Sequence, residues 1–223
     1  MGSNTPPRCA MPWYLKAVQP LHVPLNIIVR TLRWHFMKKN APARICGLRV
    51  GASLEVPYPT AFRPLAREIL RMNLSGKHVL DLETGTGVLA LAAARAGAAS
   101  VVAVDQNPAA VHLAARNAAL NELVIHCRAG ELFSALPEQK FDVIFYNGVS
   151  TARQQHIDTF LQHAGHWLAP AGIAHLILPP EKSALALCKP DQRDHSLVCI
   201  QCRYFFSLSR TFLWVQFQKA STL

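Results

Sequence analysis

The residues of this chain best suited to chemistry are two carboxylates and two glycines at fixed places in one short stretch. His78-Val79-Leu80-Asp81-Leu82-Glu83-Thr84-Gly85-Thr86-Gly87 reads as a buried strand that runs into a glycine turn. Gly85 and Gly87 carry no Cβ, so the backbone can turn tightly there and come close to a ligand. The Ala-rich segment Val88 to Ala96 then reads as a helix. Beyond it, the apolar run Val101-Val102-Ala103-Val104 ends in Asp105. A carboxylate at the tip of a second strand suits the two hydroxyls of a ribose. Together these residues describe a nucleoside-binding βαβ unit.

Gly85-Thr86-Gly87-Val88-Leu89-Ala90 also fits the dinucleotide fingerprint G-x-G-x-x-G/A. Asp81 argues against NAD, because it places a carboxylate where a pyrophosphate would sit. S-adenosylmethionine (SAM) carries an α-ammonium and a sulfonium, and both favour a nearby anion. The order Asp81-x-x-x-Gly85-x-Gly87 and then Asp105 resembles class I SAM-dependent methyltransferases. Ala129-Gly130-Glu131-Leu132-Phe133 resembles that family's third-strand exit. Phe141-Asp142-Val143-Ile144-Phe145-Tyr146-Asn147 resembles its fourth strand, which ends at the catalytic position. Leu168-Ala169-Pro170-Ala171-Gly172 resembles the turn before its fifth strand. The resemblance spans roughly residues 55–218. It implies that Asp81 and Glu83 hold the α-ammonium, and that Thr86 bonds near the carboxylate. It also implies Asp105 on the ribose, Gln106 and Asn107 beside the adenosine, and Glu131 at the adenine amino group, with Gly85 and Gly87 shaping the turn.

Val56-Pro57-Tyr58-Pro59 after a hairpin, followed by a helix and the SAM motif, is similar to release-factor glutamine methyltransferases. Their fourth strand ends in Asn-Pro-Pro-Tyr. This chain keeps the Asn and departs elsewhere, reading Asn147-Gly148-Val149-Ser150. Thr60 follows the P-x-P where an acid is usual, and Glu83 replaces a glycine of the SAM motif. The acceptor side therefore falls to Asn147, Tyr146, Ser150 and Tyr58, with Tyr204 as a further candidate. Asn147 can orient a nucleophilic amine through its carbonyl oxygen. A tyrosine face near the sulfonium would stabilise the cation. The plainer alternatives are packing for Tyr58 and Tyr204 and a helix cap for Ser150. His156, His163 and His166 fall on one helix and read as surface histidines. No metal is expected.

These residues need a framework. Strands alternate with helices from Lys77 onward, which implies an α/β, Rossmann-like, mostly parallel sheet with helices on both faces. Two apolar runs between Leu197 and Phe217 lack an intervening helix and imply an antiparallel C-terminal strand at the end of the sheet. Residues 57–223 form the SAM-binding catalytic domain in this reading. Residues 1–56 form an N-terminal lid: a basic arm, an amphipathic helix over 23–39, and a β-hairpin over 43–56 turning near Gly51-Ala52-Ser53.

The chain has a net charge of +10, and eight of those charges lie in residues 1–50, which hold no Asp or Glu. An acid-free arm suits a lid with a solvated basic face, an organelle presequence or an RNA contact. Six scattered cysteines without disulfide-style spacing point to a reducing cytoplasm. The lone Cys199-x-x-Cys202 reads as structural. No stretch is long and apolar enough to span a membrane.

The leading expectation is a SAM-dependent transferase that methylates an N or O atom of a small molecule. A second reading needs no external acceptor. In it the α-amine of SAM attacks its own γ-carbon and releases methylthioadenosine, as azetidine-2-carboxylate-forming SAM cyclases do. A third is an RNA- or protein-modifying methyltransferase that uses the basic arm.

Overall fold

The computed structural model describes residues 42–53, 55–56, 62–148, 154–179, 197–206 and 211–219. The arm, its 23–39 helix, Tyr58 and Ser150 lie outside them.

A seven-stranded sheet carries the fold. Its strands are β3 (His78–Leu82), β4 (Ser100–Asp105), β5 (His126–Ala129), β6 (Phe141–Asn147), β7 (Leu168–Leu178), β8 (Leu197–Phe206) and β9 (Thr211–Lys219), in the order β5-β4-β3-β6-β7-β9-β8. The first five named run parallel, and β9 is antiparallel to both its neighbours. The C-terminal strand is thus antiparallel, but it is inserted one place in from the edge and β8 lies outside it. Strand β9 is the more apolar of the two and takes the buried place: Phe212, Leu213, Trp214, Val215 and Phe217 are all buried.

Strand order reverses between β3 and β6, which opens a crevice at their C-terminal ends. Among the described residues four helices cover the sheet: α1 (Arg63–Ile69), α2 (Val88–Arg95), α3 (Pro108–Leu120) and α4 (Gln154–Trp167). Alternation along the strands divides the core. Val79, Val101, Ala103 and Phe145 pack with α1 and α2. Leu80, Leu82, Val102, Val104 and Tyr146 pack with Ile157, Phe160 and Leu161 of α4. Period-2 geometry therefore sends Asp81 toward α2 and its neighbours Leu80 and Leu82 toward α4.

Two local expectations change. The hairpin of β1 (Ala43–Ile45) and β2 (Leu48–Val50) turns at Cys46-Gly47, not at Gly51-Ala52-Ser53. Both turn residues have positive φ, 51° and 85°, as a two-residue turn matched to strand twist requires. Ile45, Leu48 and Val50 are fully buried in the core shared with α1 and α2. The expected turn at residues 168–172 is instead an irregularity within β7. Phe141 pairs with Leu168 and Val143 with Ile173, so β7 advances five residues while β6 advances two.

On β8 the sulfurs of Cys199 and Cys202 lie 3.6 Å apart. Among the described residues, no helix is long and apolar enough to cross a membrane.

Candidate functional site

At the C-terminal ends of β3, β4 and β6 lies a cleft of about 160 Å³, well above the roughly 10–15 Å³ that a single water needs. Among the described residues its charged walls are Glu55, Glu83 and Asp105, and no Lys or Arg lines it. Val56, Phe62, Val88 and Ala110 supply apolar surface. A cleft of this sign inside a strongly basic chain selects a cation and repels a pyrophosphate.

The glycine turn joins β3 to α2. Asp81 is fully buried beneath the turn. Its Oδ2 accepts from the Thr84 hydroxyl at 2.6 Å and from the Ala90 N–H at 3.1 Å, and its Oδ1 has no hydrogen-bond partner. Burial raises its pKa to about 7, against the lowering effect of those two bonds, and the Asp105 charge adds to the rise. The expected ammonium ligand thus lies below the cleft surface, where it holds the turn. Glu83, two residues on, takes the cleft side. Its φ of 56° explains why glycine is usual there, since the left-handed conformation costs an L-residue about 1–2 kcal/mol. Strain of this kind concentrates at functional sites.

Asp105 is 7% exposed at the tip of β4. It accepts from the Gly85 N–H at 2.8 Å and the Asn107 N–H at 2.9 Å, one bond per oxygen. A carboxylate has about four acceptor sites, so both oxygens keep capacity for hydroxyls. Gly87, with φ 80°, starts α2 where a Cβ would meet the Ala114 Cβ at 3.0 Å and Cα at 3.2 Å. Thr86 lines the cleft with a buried hydroxyl that has no hydrogen-bond partner. Gln106 and Asn107 also line it, and the Asn107 side chain caps α3 through the Ala109 N–H at 2.9 Å.

Asn147, the last residue of β6, lines the cleft, and its Oδ1 is buried without a hydrogen-bond partner. Tyr146, next to it, points the other way. It is fully buried against Phe160, with ring centroids 5.1 Å apart, and burial followed by the Glu83 charge pushes its pKa up. Tyr146 therefore stands in the core and off the cleft wall. Glu131 is also absent from the wall. Its Oε1 lies 3.0 Å from His156 Nε2. His156 is only 7% exposed, which corrects its reading as a surface histidine, whereas His163 and His166 are exposed. Tyr204 lies on strand β8, half-buried against the α4-side core.

Sequence reasoning missed Thr84, Glu55, Val56 and Phe62. Only Thr84 had a local signal, a hydroxyl three residues after an acid at a turn. The others reach the cleft through the approach of a segment distant in sequence.

The family model for ribosomal protein L11 methyltransferase (PrmA) matches residues 66–176, a span that runs from α1 to β7. A candidate protein N5-glutamine methyltransferase of Methanocaldococcus jannaschii is 36% identical over 113 residues, covering 48% of this chain and 57% of that protein. A ribosomal protein L11 methyltransferase of Heliobacterium modesticaldum is 41% identical over 98 residues, covering 43% of this chain and 29% of its own length. The solved structure of a methyltransferase from Pyrococcus furiosus superposes with a TM-score of 0.66 at 19% identity, covering 88% of this chain and 98% of that one. The chain has the class I SAM-dependent methyltransferase fold, and residues 66–176 resemble that superfamily in sequence. It spans little more than half of the first of these relatives and less than a third of the second.

SAM is the cofactor of this superfamily, and the cleft fits it. The acids suit the ammonium, sulfonium and ribose hydroxyls, and the buried Thr86 hydroxyl lacks the partner a bound ligand would give it. Among the described residues, no group of His, Cys, Asp and Glu could hold a metal ion.

Proposed function

We propose that this methyltransferase moves the SAM methyl group to a nitrogen of a protein acceptor. The observation that carries the reading is Asn147. It is fixed at a strand end beside the cofactor cleft and offers a buried acceptor oxygen without a partner. That oxygen can accept an N–H from an incoming nitrogen and aim its lone pair. SAM supplies a methyl group already activated on a sulfonium. The nitrogen lone pair forms the new C–N bond, the S–C bond breaks with its electrons going to sulfur, and the nitrogen sheds a proton to solvent. In this assignment Asp105 takes the ribose hydroxyls and Glu83 the α-ammonium. Thr86 bonds the methionine end, and Gln106 and Asn107 flank the adenosine. Asp81 positions the turn without touching the ligand.

The relatives' names support a protein acceptor: one specifies a protein glutamine nitrogen and the other a ribosomal protein. Nothing found supports the small-molecule acceptor or the self-cyclisation of SAM expected from sequence. The concentration of positive charge in residues 1–50 favours a second reading, an RNA or ribonucleoprotein acceptor.

The test incubates the protein with methyl-labelled SAM, alone and with ribosomal protein and RNA fractions. S-adenosylhomocysteine together with protease-sensitive label is expected. Label sensitive only to ribonuclease would move the acceptor to RNA. Methylthioadenosine from SAM alone would replace transfer by ring closure. Asn147→Ala is expected to lower kcat about 100-fold while the SAM Kd stays within about twofold. An equal loss in both would remove Asn147 from the acceptor side.

A further inference from the structure

Asn117 of α3 and Asn121, which caps its C-terminal end, stand where a neighbouring strand would otherwise pair with β2 and the residue after it. Asn121 accepts the Arg49 N–H at 2.8 Å and donates to the Arg49 carbonyl at 2.7 Å. One helical turn earlier, Asn117 accepts the Gly51 N–H at 2.8 Å and donates to the Gly51 carbonyl at 3.2 Å. Side chains four apart on a helix share a face, and residues two apart share a strand edge. Each amide satisfies one peptide donor and one acceptor, as a strand would.

The two asparagines differ in where the remaining donation goes: Asn121 gives its own to the Asn117 carbonyl at 2.7 Å, within the helix end. Asn117, fully buried, also donates to the Thr86 carbonyl at 2.9 Å. Thr86 stands between Gly85 and Gly87, whose φ angles of 57° and 80° are both positive. Glycines on either side leave the peptide orientation weakly determined by local sterics. Gly51, the other partner, leads into a turn closed by the Ser53 N–H to the Val56 carbonyl and the Val56 N–H to the Ser53 hydroxyl, each at 3.0 Å. That turn delivers Glu55 and Val56 to the cleft.

We propose that Asn117 is a positioning residue of the cofactor site. By holding the Thr86 carbonyl it turns the Thr86 hydroxyl to the cleft, and by holding Gly51 it ties the glycine turn to the 51–56 segment. Asn121 makes the same kind of strand pairing without touching the turn, so it is the control. The SAM-binding part of this inference rests on the function proposed above.

Two measurements separate the inference from that reading. The first is hydrogen exchange at the Gly85 and Gly87 amides in the ligand-free protein, which needs no SAM. Asn117→Ala is expected to speed exchange there by about tenfold or more, the loss of one net hydrogen bond. Asn121→Ala is expected to lower Tm and leave those amides unchanged. The second is SAM affinity by calorimetry, expected to weaken about tenfold in Asn117→Ala and less than twofold in Asn121→Ala. Asn117→Asp keeps the acceptor for the Gly51 N–H and loses both donations, to the Gly51 and Thr86 carbonyls, so faster turn exchange is expected of it too if the alanine variant does not fold. Equal effects of the two positions on turn exchange, or none from Asn117, would overturn the proposal. Failure of the wild-type protein to bind SAM would sink the proposed function and leave the exchange result to decide the role of Asn117.

Discussion

Asp81 and His175 occupy comparable places in the two halves of the sheet, and burial acts on them in opposite directions. Asp81, on β3 in the cofactor half, has its pKa raised to about 7. His175, on β7 in the C-terminal half, has its pKa lowered to about 3 by desolvation. Burial disfavours the charged form in both. Their surroundings differ with their tasks. Asp81 holds a turn that faces the cleft and keeps one oxygen without a partner. His175 accepts from Trp214 Nε1 at 2.6 Å and stacks on Phe145 with ring centroids 4.9 Å apart. One half keeps a poised polar group beneath a binding surface, and the other uses a neutral imidazole as packing.

The strongest break of this comparison is Gly87→Val. The left-handed φ and the contact with the Ala114 backbone leave no room for a branched side chain. A loss of about 3–5 kcal/mol is expected, measured by urea unfolding. A Tm within a few degrees of wild type would show that α2 and α3 can separate there.

The pH dependence is the next largest effect. Between about pH 3.8 and 7 native Asp81 keeps a proton that the unfolded chain has lost, so its contribution falls as pH rises. Between about pH 3 and 6.5 the unfolded chain protonates its histidine while native His175 stays neutral, so that contribution falls as pH drops. The two oppose each other across their shared window. Asp81→Asn is expected to leave stability rising with pH between 4 and 6.5, by up to about 1.4 kcal/mol per unit relative to wild type. His175→Gln, which can still accept from Trp214, is expected to tilt the same window the other way. Parallel pH profiles of wild type and both variants would refute the opposition.

The smallest expected effect is that of Glu131→Gln. Its carboxylate is 62% exposed and pairs with His156 away from the cleft wall. A stability change within about 0.5 kcal/mol and an unchanged SAM Kd are expected by calorimetry. A marked loss of affinity would return Glu131 to the adenine.

The βαβ unit was legible because each of its signals is local. Glycines at a turn, an apolar strand and a carboxylate at its tip depend on neighbours within a few residues. The acceptor side was only partly legible. Asn147 follows from its strand, but Tyr146 looked equally available until strand alternation turned it into the core. Glu131 sat in the right motif and found a histidine on α4 instead. Asn117 went unnoticed because its partners, Gly51 and Thr86, are far from it in sequence.

The sequence by itself determined the α/β framework, the kind of nucleoside ligand and the strand ends that carry Asp105 and Asn147, because chain geometry dictates the period of each element and where its turn must fall. Only the tertiary structure decided which of two nearby acids faces the cleft and which is sealed beneath it. It also inserted β9 inside β8 and joined Asn117 to the glycine turn. Those outcomes depend on which surfaces meet across the fold, and burial, close approach and hydrogen-bond partnership exist only once distant segments are packed together.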